Sequence, residues 1–121
     1  MSKVDIAIKW VYDAPSATDG KRVLVDRLWP RGLSKEDAVI DKWFKEVAPS
    51  GELRKWYNHE PEKFNEFSRR YRAEIISGRP FSELLEYLND HAKVSLLFAA
   101  KDANLSNAKV LREMLQEHLL K

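Results

Sequence analysis

The chain contains no cysteine, which removes disulfides, thiolate metal sites, iron–sulfur clusters and thiol nucleophiles in one step. It also lacks an apolar run near the roughly 18 residues that a membrane span needs. The opening MSKVDIAIKW breaks its apolar stretch with acid and base, unlike a secretory leader. Neither sign of charge dominates. The formal balance is +2, from 21 basic and 19 acidic side chains, and nucleic-acid binders usually carry a larger or more segregated basic excess. Its four glycines build no G-x-S-x-G elbow, phosphate loop or dinucleotide fingerprint. The three histidines, His59, His91 and His118, have no i, i+4 partner, so no metal site is expected. These absences lead to the expectation of a cytoplasmic protein without cofactor or membrane partner.

What is present suits a packed core. Hydrophobic residues make up 44% and charged residues 33% of 121 residues, within the range of one globular domain. No repeat, low-complexity tract or long linker divides the chain, so residues 1–121 are expected to form a single domain.

Val4, Ile6, Ile8, Trp10 and Tyr12 stand at every second position, the period of a strand with one buried face. Asp13 to Gly20 is a polar loop. Val23-Leu24-Val25 and Val94 to Ala100 are continuous apolar runs with polar ends, as in interior strands covered on both faces. The two are expected to be parallel neighbours with their polar ends on one edge. Ser34 begins an S-x-x-D cap, and Ile40, Trp43, Phe44 and Val47 behind it predict a helix stopped by Pro49. Ser50 caps a short helix carrying Leu53, Trp56 and Tyr57. Phe64, Phe67, Tyr71 and Ile75 then mark an amphipathic helix up to Gly78. Further helices are predicted around Leu84, Leu85 and Leu88, and from about Asn107 through Leu119. The pattern predicts an α/β protein with a small, mostly parallel sheet flanked by helices.

Ligands of open α/β sheets gather beyond the carboxyl ends of the strands. Two such exits lead into helices: Asp26 to Ser34, and Lys101 to Asn107. Together they offer Arg27, Arg31, Lys101, Asp26, Asp102 and Asn107. Guanidinium groups and helix N-termini favour a small anionic or phosphate-bearing ligand. The competing account is a structural network in which Asp26 and Arg27 pair with Arg31 or Lys101 and Asn107 merely caps its helix. Trp29 suits a ligand-stacking surface or, more simply, the core. His59, in a polar loop at a helix boundary, is the acid–base candidate, set against a capping or solvent-facing role. Arg69, Arg70 and Arg72 could touch phosphate backbones, giving a nucleic-acid-associated or regulatory module, but Glu62, Glu66 and Glu74 interleave them as on a solvated face. A third reading is a purely structural or interaction domain. Four Trp and five Phe leave room for an exposed patch and a homodimer.

Three stretches carry a resemblance: Arg22 to Lys35 (RVLVDRLWPRGLSK), Ala48 to Trp56 (APSGELRKW) with His59, and Ser95 to Asp102 (SLLFAAKD) with Asn107-Ala108. They resemble the YeaO-like family of bacterial domains of unknown function over almost the whole chain. The resemblance implies a compact α/β domain and brings no catalytic residue. The family pattern has a basic residue where Trp10 stands, which implies a different ligand here if that position lines the site. More distant relatives carry cysteines in the stretch matching Leu97–Asn107. This chain has none there, so thiol chemistry does not transfer, while an enzyme using Asp, Arg, Lys and His remains open.

Overall fold

The computed structural model describes residues 4–119. Four strands, β1 (Asp5–Trp10), β2 (Lys21–Leu24), β3 (Lys42–Trp43) and β4 (Lys93–Phe98), form one sheet in the order β1-β4-β2-β3. Every pairing is parallel. The two continuous apolar runs are therefore the interior strands, with Val23 opposite Leu96 and Leu24 opposite Leu97. All four of those side chains are fully buried, because neither strand has a solvent face.

The two faces of the sheet are covered differently. Val23, Val25, Val94, Leu96 and Phe98 meet the main core. That core is completed by α2 (Gly51–Tyr57), α3 (Phe64–Ile75), α4 (Arg79–Asn89) and α5 (Asn107–Leu119). Leu24 and Leu97 point the other way, into a smaller cluster with Val11, Trp29, Leu33, Ile40 and Trp43, supplied by loops rather than long helices. The predicted caps form: the Ser34 hydroxyl accepts from the Asp37 amide at 3.1 Å, and the Ser50 hydroxyl from Leu53 at 3.1 Å. Among the described residues no helix is long and apolar enough to cross a membrane.

Two expectations are corrected. The helix behind Ser34 is only one turn, α1 (Lys35–Ala38), closed by Val39 in the left-handed region. Ile40, Trp43, Phe44 and Val47 are not a helical stripe. Ile40 and Trp43 pack into the small cluster and Phe44 and Val47 into the main core, so the segment crosses the sheet edge as strand β3. The Asp41 carboxylate fixes the crossing by accepting the Arg22 amide at 2.8 Å. The first strand also ends sooner than its alternation suggests. Beyond β1 the chain turns, Val11 enters the small cluster, and Trp10 and Tyr12 stay exposed.

The loop before β2 holds a buried ionic network that the polar composition of that loop did not reveal. Ser16 and Asp19 form a reciprocal cap on a 3-10 turn, Ala17–Asp19. The Asp19 carboxylate accepts Arg22 Nη1 at 2.6 Å and Lys9 Nζ at 2.9 Å. Arg22 is 3% exposed, and its remaining donors reach the carbonyls of Ala38 and Val39. Burial alone would push the Asp19 carboxyl up, but hydrogen bonds from Lys9, Ser16 and Arg22 outweigh it and hold the pKa below the ordinary value. Gly20 follows with φ of 67°, and a Cβ there would lie 2.3 Å from the Lys93 carbonyl oxygen, so only glycine fits.

Candidate functional site

Beyond the carboxyl ends of β2 and β4 the chain leaves a cleft of about 520 Å³, within the size range of small-ligand sites. It is lined by Asp26, Arg27, Trp29 and Arg31 from the loop after β2, and by Arg54, Lys55 and His59 from α2 and its end. Asn107 stands at the base, where α5 begins.

The side chains differ in how they are held. The Asp26 carboxylate accepts the Ala99 amide at 2.8 Å, and its backbone carbonyl accepts Trp43 Nε1 at 2.7 Å. Burial raises the Asp26 pKa; the Ala99 amide, the Asn107 side chain and the Arg54 charge only partly offset that. Arg27 Nη2 donates to the Ala48 carbonyl at 3.2 Å and Nε to Pro49 at 3.4 Å. The guanidinium is thus anchored by neutral carbonyls and keeps its charge uncompensated. Arg31 is exposed, and its carbonyl accepts the Tyr12 hydroxyl at 2.8 Å. Asn107 Nδ2 donates to the Val25 carbonyl at 3.0 Å, tying the start of α5 to the end of β2. Among the described residues Arg27, Arg31, Arg54 and Lys55 form no ion pair. The pairing of Asp26 or Arg27 with Arg31 or Lys101 is therefore absent.

The structure brings Asp26, Arg27, Arg31, Asn107 and His59 to this cleft and leaves two expected residues outside it. Lys101 lines a different depression beside β1. Asp102 caps the 3-10 turn Ala103–Leu105 by accepting the Asn104 amide at 2.9 Å. Arg54 and Lys55 were missed, because nothing in their local pattern brings α2 against the β2 loop. The usable signal was the burial of Leu53 and Tyr57 at i and i+4, which turns their neighbours toward a rim. Trp29 belongs to both readings: it packs in the small cluster, donates from Nε1 to the Leu33 carbonyl at 2.6 Å, and lines the cleft.

His59 is exposed with φ of 56°, directly after Asn58 at 47°. Asparagine and histidine are among the non-glycine residues that most often adopt the left-handed region, so the pair closes α2 without a glycine. The other two histidines are engaged elsewhere, His91 beside the Tyr87 ring and His118 with the Met114 carbonyl. The basic run on α3 is neutralised: Arg69 and Arg70 pair with Glu66, and Arg72 bridges to Glu113 and Glu117 on α5.

An open, all-parallel α/β sheet flanked by helices defines the fold class of this protein. Within that class the family described as the inactive DUF488-N3 subclade matches residues 5–121, and the chain belongs to that family. It is 41% identical over 110 residues to the uncharacterized protein Rv3073c of Mycobacterium tuberculosis, covering 91% of this chain and 92% of the relative. It is 38% identical over 113 residues to the uncharacterized protein YeaO of Escherichia coli K12, covering 93% and 98%. No solved structure matches the chain significantly.

Proposed function

We propose that the chain, as a single domain over residues 1–121 acting in the cytoplasm, binds a small anionic ligand bearing phosphate or carboxylate. The site is the cleft at the ends of β2 and β4. Arg27 and Arg31 supply the charge from the loop after β2, Arg54 and Lys55 from α2. Asn107 orders the floor, and Asp26 sets a limit on how much negative charge enters. His59, at the end of α2, is the candidate for exchanging a proton with the ligand.

The observation that carries this reading is that four cations line one cleft and, among the described residues, none of them forms an ion pair, the Asp26 carboxylate being the one acid of the lining and close enough to feel the Arg54 charge. Elsewhere on the same surface, arginines such as Arg69 and Arg72 are matched by glutamates. Like charges gathered on one cleft repel unless solvent screens them or an anion neutralises them. A family described as inactive fits a binding role better than a catalytic one. Isothermal titration with inorganic phosphate tests the proposal: saturable binding that Arg31→Ala weakens at least tenfold supports it, and no heat in either protein overturns it.

A further inference from the structure

The lining of the cleft is aromatic as well as charged. Tyr12, Trp29, Tyr57 and His59 are among the residues that line it, together with Arg27 and Arg31. Two of the exposed large apolar side chains of the protein, Tyr12 at 38% and Leu28 at 64%, lie on this same cleft. An inorganic anion would use the arginines and leave those surfaces in water. Its volume, about 520 Å³, is likewise far more than a single phosphate fills.

Resting on the anion-binding reading above, we infer that the ligand is an anionic group carried on a planar aromatic body, the chemistry shared by nucleoside monophosphates and aryl phosphates. Rings and guanidinium planes both stack on a π-face, whereas an alkyl chain gains only area from them. The rings are held in place independently of any ligand. Tyr57 stacks on Phe67 at 4.1 Å and donates its hydroxyl to the Leu105 carbonyl at 2.8 Å. Trp29 sits edge-on to Trp43 at 5.6 Å. Tyr12 is tied to the Arg31 carbonyl at 2.8 Å, so one residue of the aromatic wall is coupled directly to the anion-binding loop. A ligand held this way places its anionic group between Arg27 and Arg31 and its ring against Tyr12.

Calorimetric titration of the full chain with inorganic phosphate, hexyl phosphate, phenyl phosphate and a nucleoside 5′-monophosphate tests this. Phenyl phosphate and the nucleotide are expected to bind about tenfold or more tighter than the first two, on the strength of a single stacking contact. Tyr12→Ala should erase that advantage of the aromatic phosphates over inorganic and hexyl phosphate, and Tyr12→Phe, which keeps the ring, should keep it. A nucleotide tighter than phenyl phosphate identifies a base as the aromatic body; equal affinities leave any aryl group as the source. Hexyl phosphate matching phenyl phosphate, or Tyr12→Ala retaining the aromatic preference, overturns the inference. In that event phosphate binding that Arg31→Ala abolishes keeps the simpler anion site standing. No binding by any of the four overturns both.

Discussion

At the start of β2, Asp19 and Arg22 are buried against each other, with Lys9 as a third partner and backbone carbonyls taking up the remaining guanidinium donors. At the far end of the same strand, Asp26 and Arg27 are adjacent in sequence and do not pair. One acid is drawn below its ordinary pKa by its hydrogen bonds; the other is raised above it by burial. The same residue types thus do opposite things over one strand. A satisfied network fixes the loop that leads into the sheet. At the other end, cations that form no ion pair among the described residues line an open cleft, the one proposed to take a ligand. Charge left unpaired in a folded protein has to be explained by something outside the chain or by solvent, and here it sits where open parallel sheets place their ligands.

The contrast predicts a ranking of substitutions. The largest loss is expected at the start of β2. Arg22→Ala leaves the Asp19 carboxylate buried with only Lys9 against it, and breaking a buried pair this way costs about 3–5 kcal/mol. Urea unfolding should show a midpoint far below the wild type. Lys9→Ala, removing the more exposed partner, should cost less. If Arg22→Ala unfolds at the wild-type midpoint, the two ends of the strand do not differ as described.

Leu97→Ala comes next. The side chain is fully buried between β1 and β2 in the smaller cluster, and such truncations cost about 2–5 kcal/mol. A value at the upper end indicates that the loop-built face cannot collapse into the cavity. A value near the lower end indicates that Trp29 and Trp43 settle into it. Both are read from the same denaturant curves.

Acid sensitivity separates the two carboxylates by sign. The stabilisation from Asp19 is complete above its unfolded pKa, near 3.8, and is lost as the pH falls through its lower folded value. Asp26 behaves oppositely. Its raised folded pKa makes its contribution most favourable in acid, and that contribution is given up as the pH rises from 3.8 through the folded value. Asp26→Asn keeps an oxygen for the Ala99 amide and removes the buried charge. At neutral pH it should unfold at the same midpoint or higher, by up to about 1 kcal/mol, and should bind phosphate more tightly. A clear destabilisation by Asp26→Asn would place Asp26 in a paired network after all.

Much of this arrangement is legible in the sequence, and the illegible parts have physical causes. Val23–Val25 and Val94–Phe98 announce themselves as neighbours because a strand buried on both faces cannot alternate. Asn107 and the loop from Asp26 to Arg31 are found because strand exits are where a parallel sheet must change direction. The segment after Ser34 misleads because hydrophobic spacing reports burial and not the surface against which each residue is buried. Ile40 and Trp43 serve one face of the sheet, Phe44 and Val47 the other, and the sum imitates a helix. Lys101 is displaced from the site because the chain after β4 passes first to the β1 side. Arg54 and Lys55 line the cleft instead through the packing of α2, whose buried side the Leu53 and Tyr57 spacing marks without telling which loop it packs beside.

The smallest effect on stability is also the most direct test. Arg31 is exposed and makes no ion pair among the described residues, so Arg31→Ala should shift stability by no more than about 0.5 kcal/mol. Thermal unfolding of the wild type and Arg31→Ala, each with and without added phosphate, should give nearly equal melting temperatures in the absence of phosphate. Added phosphate should raise the wild-type value and leave the variant's almost unmoved. A large loss of stability in Arg31→Ala, with no phosphate effect in either protein, would contradict the account and mark the loop as structural.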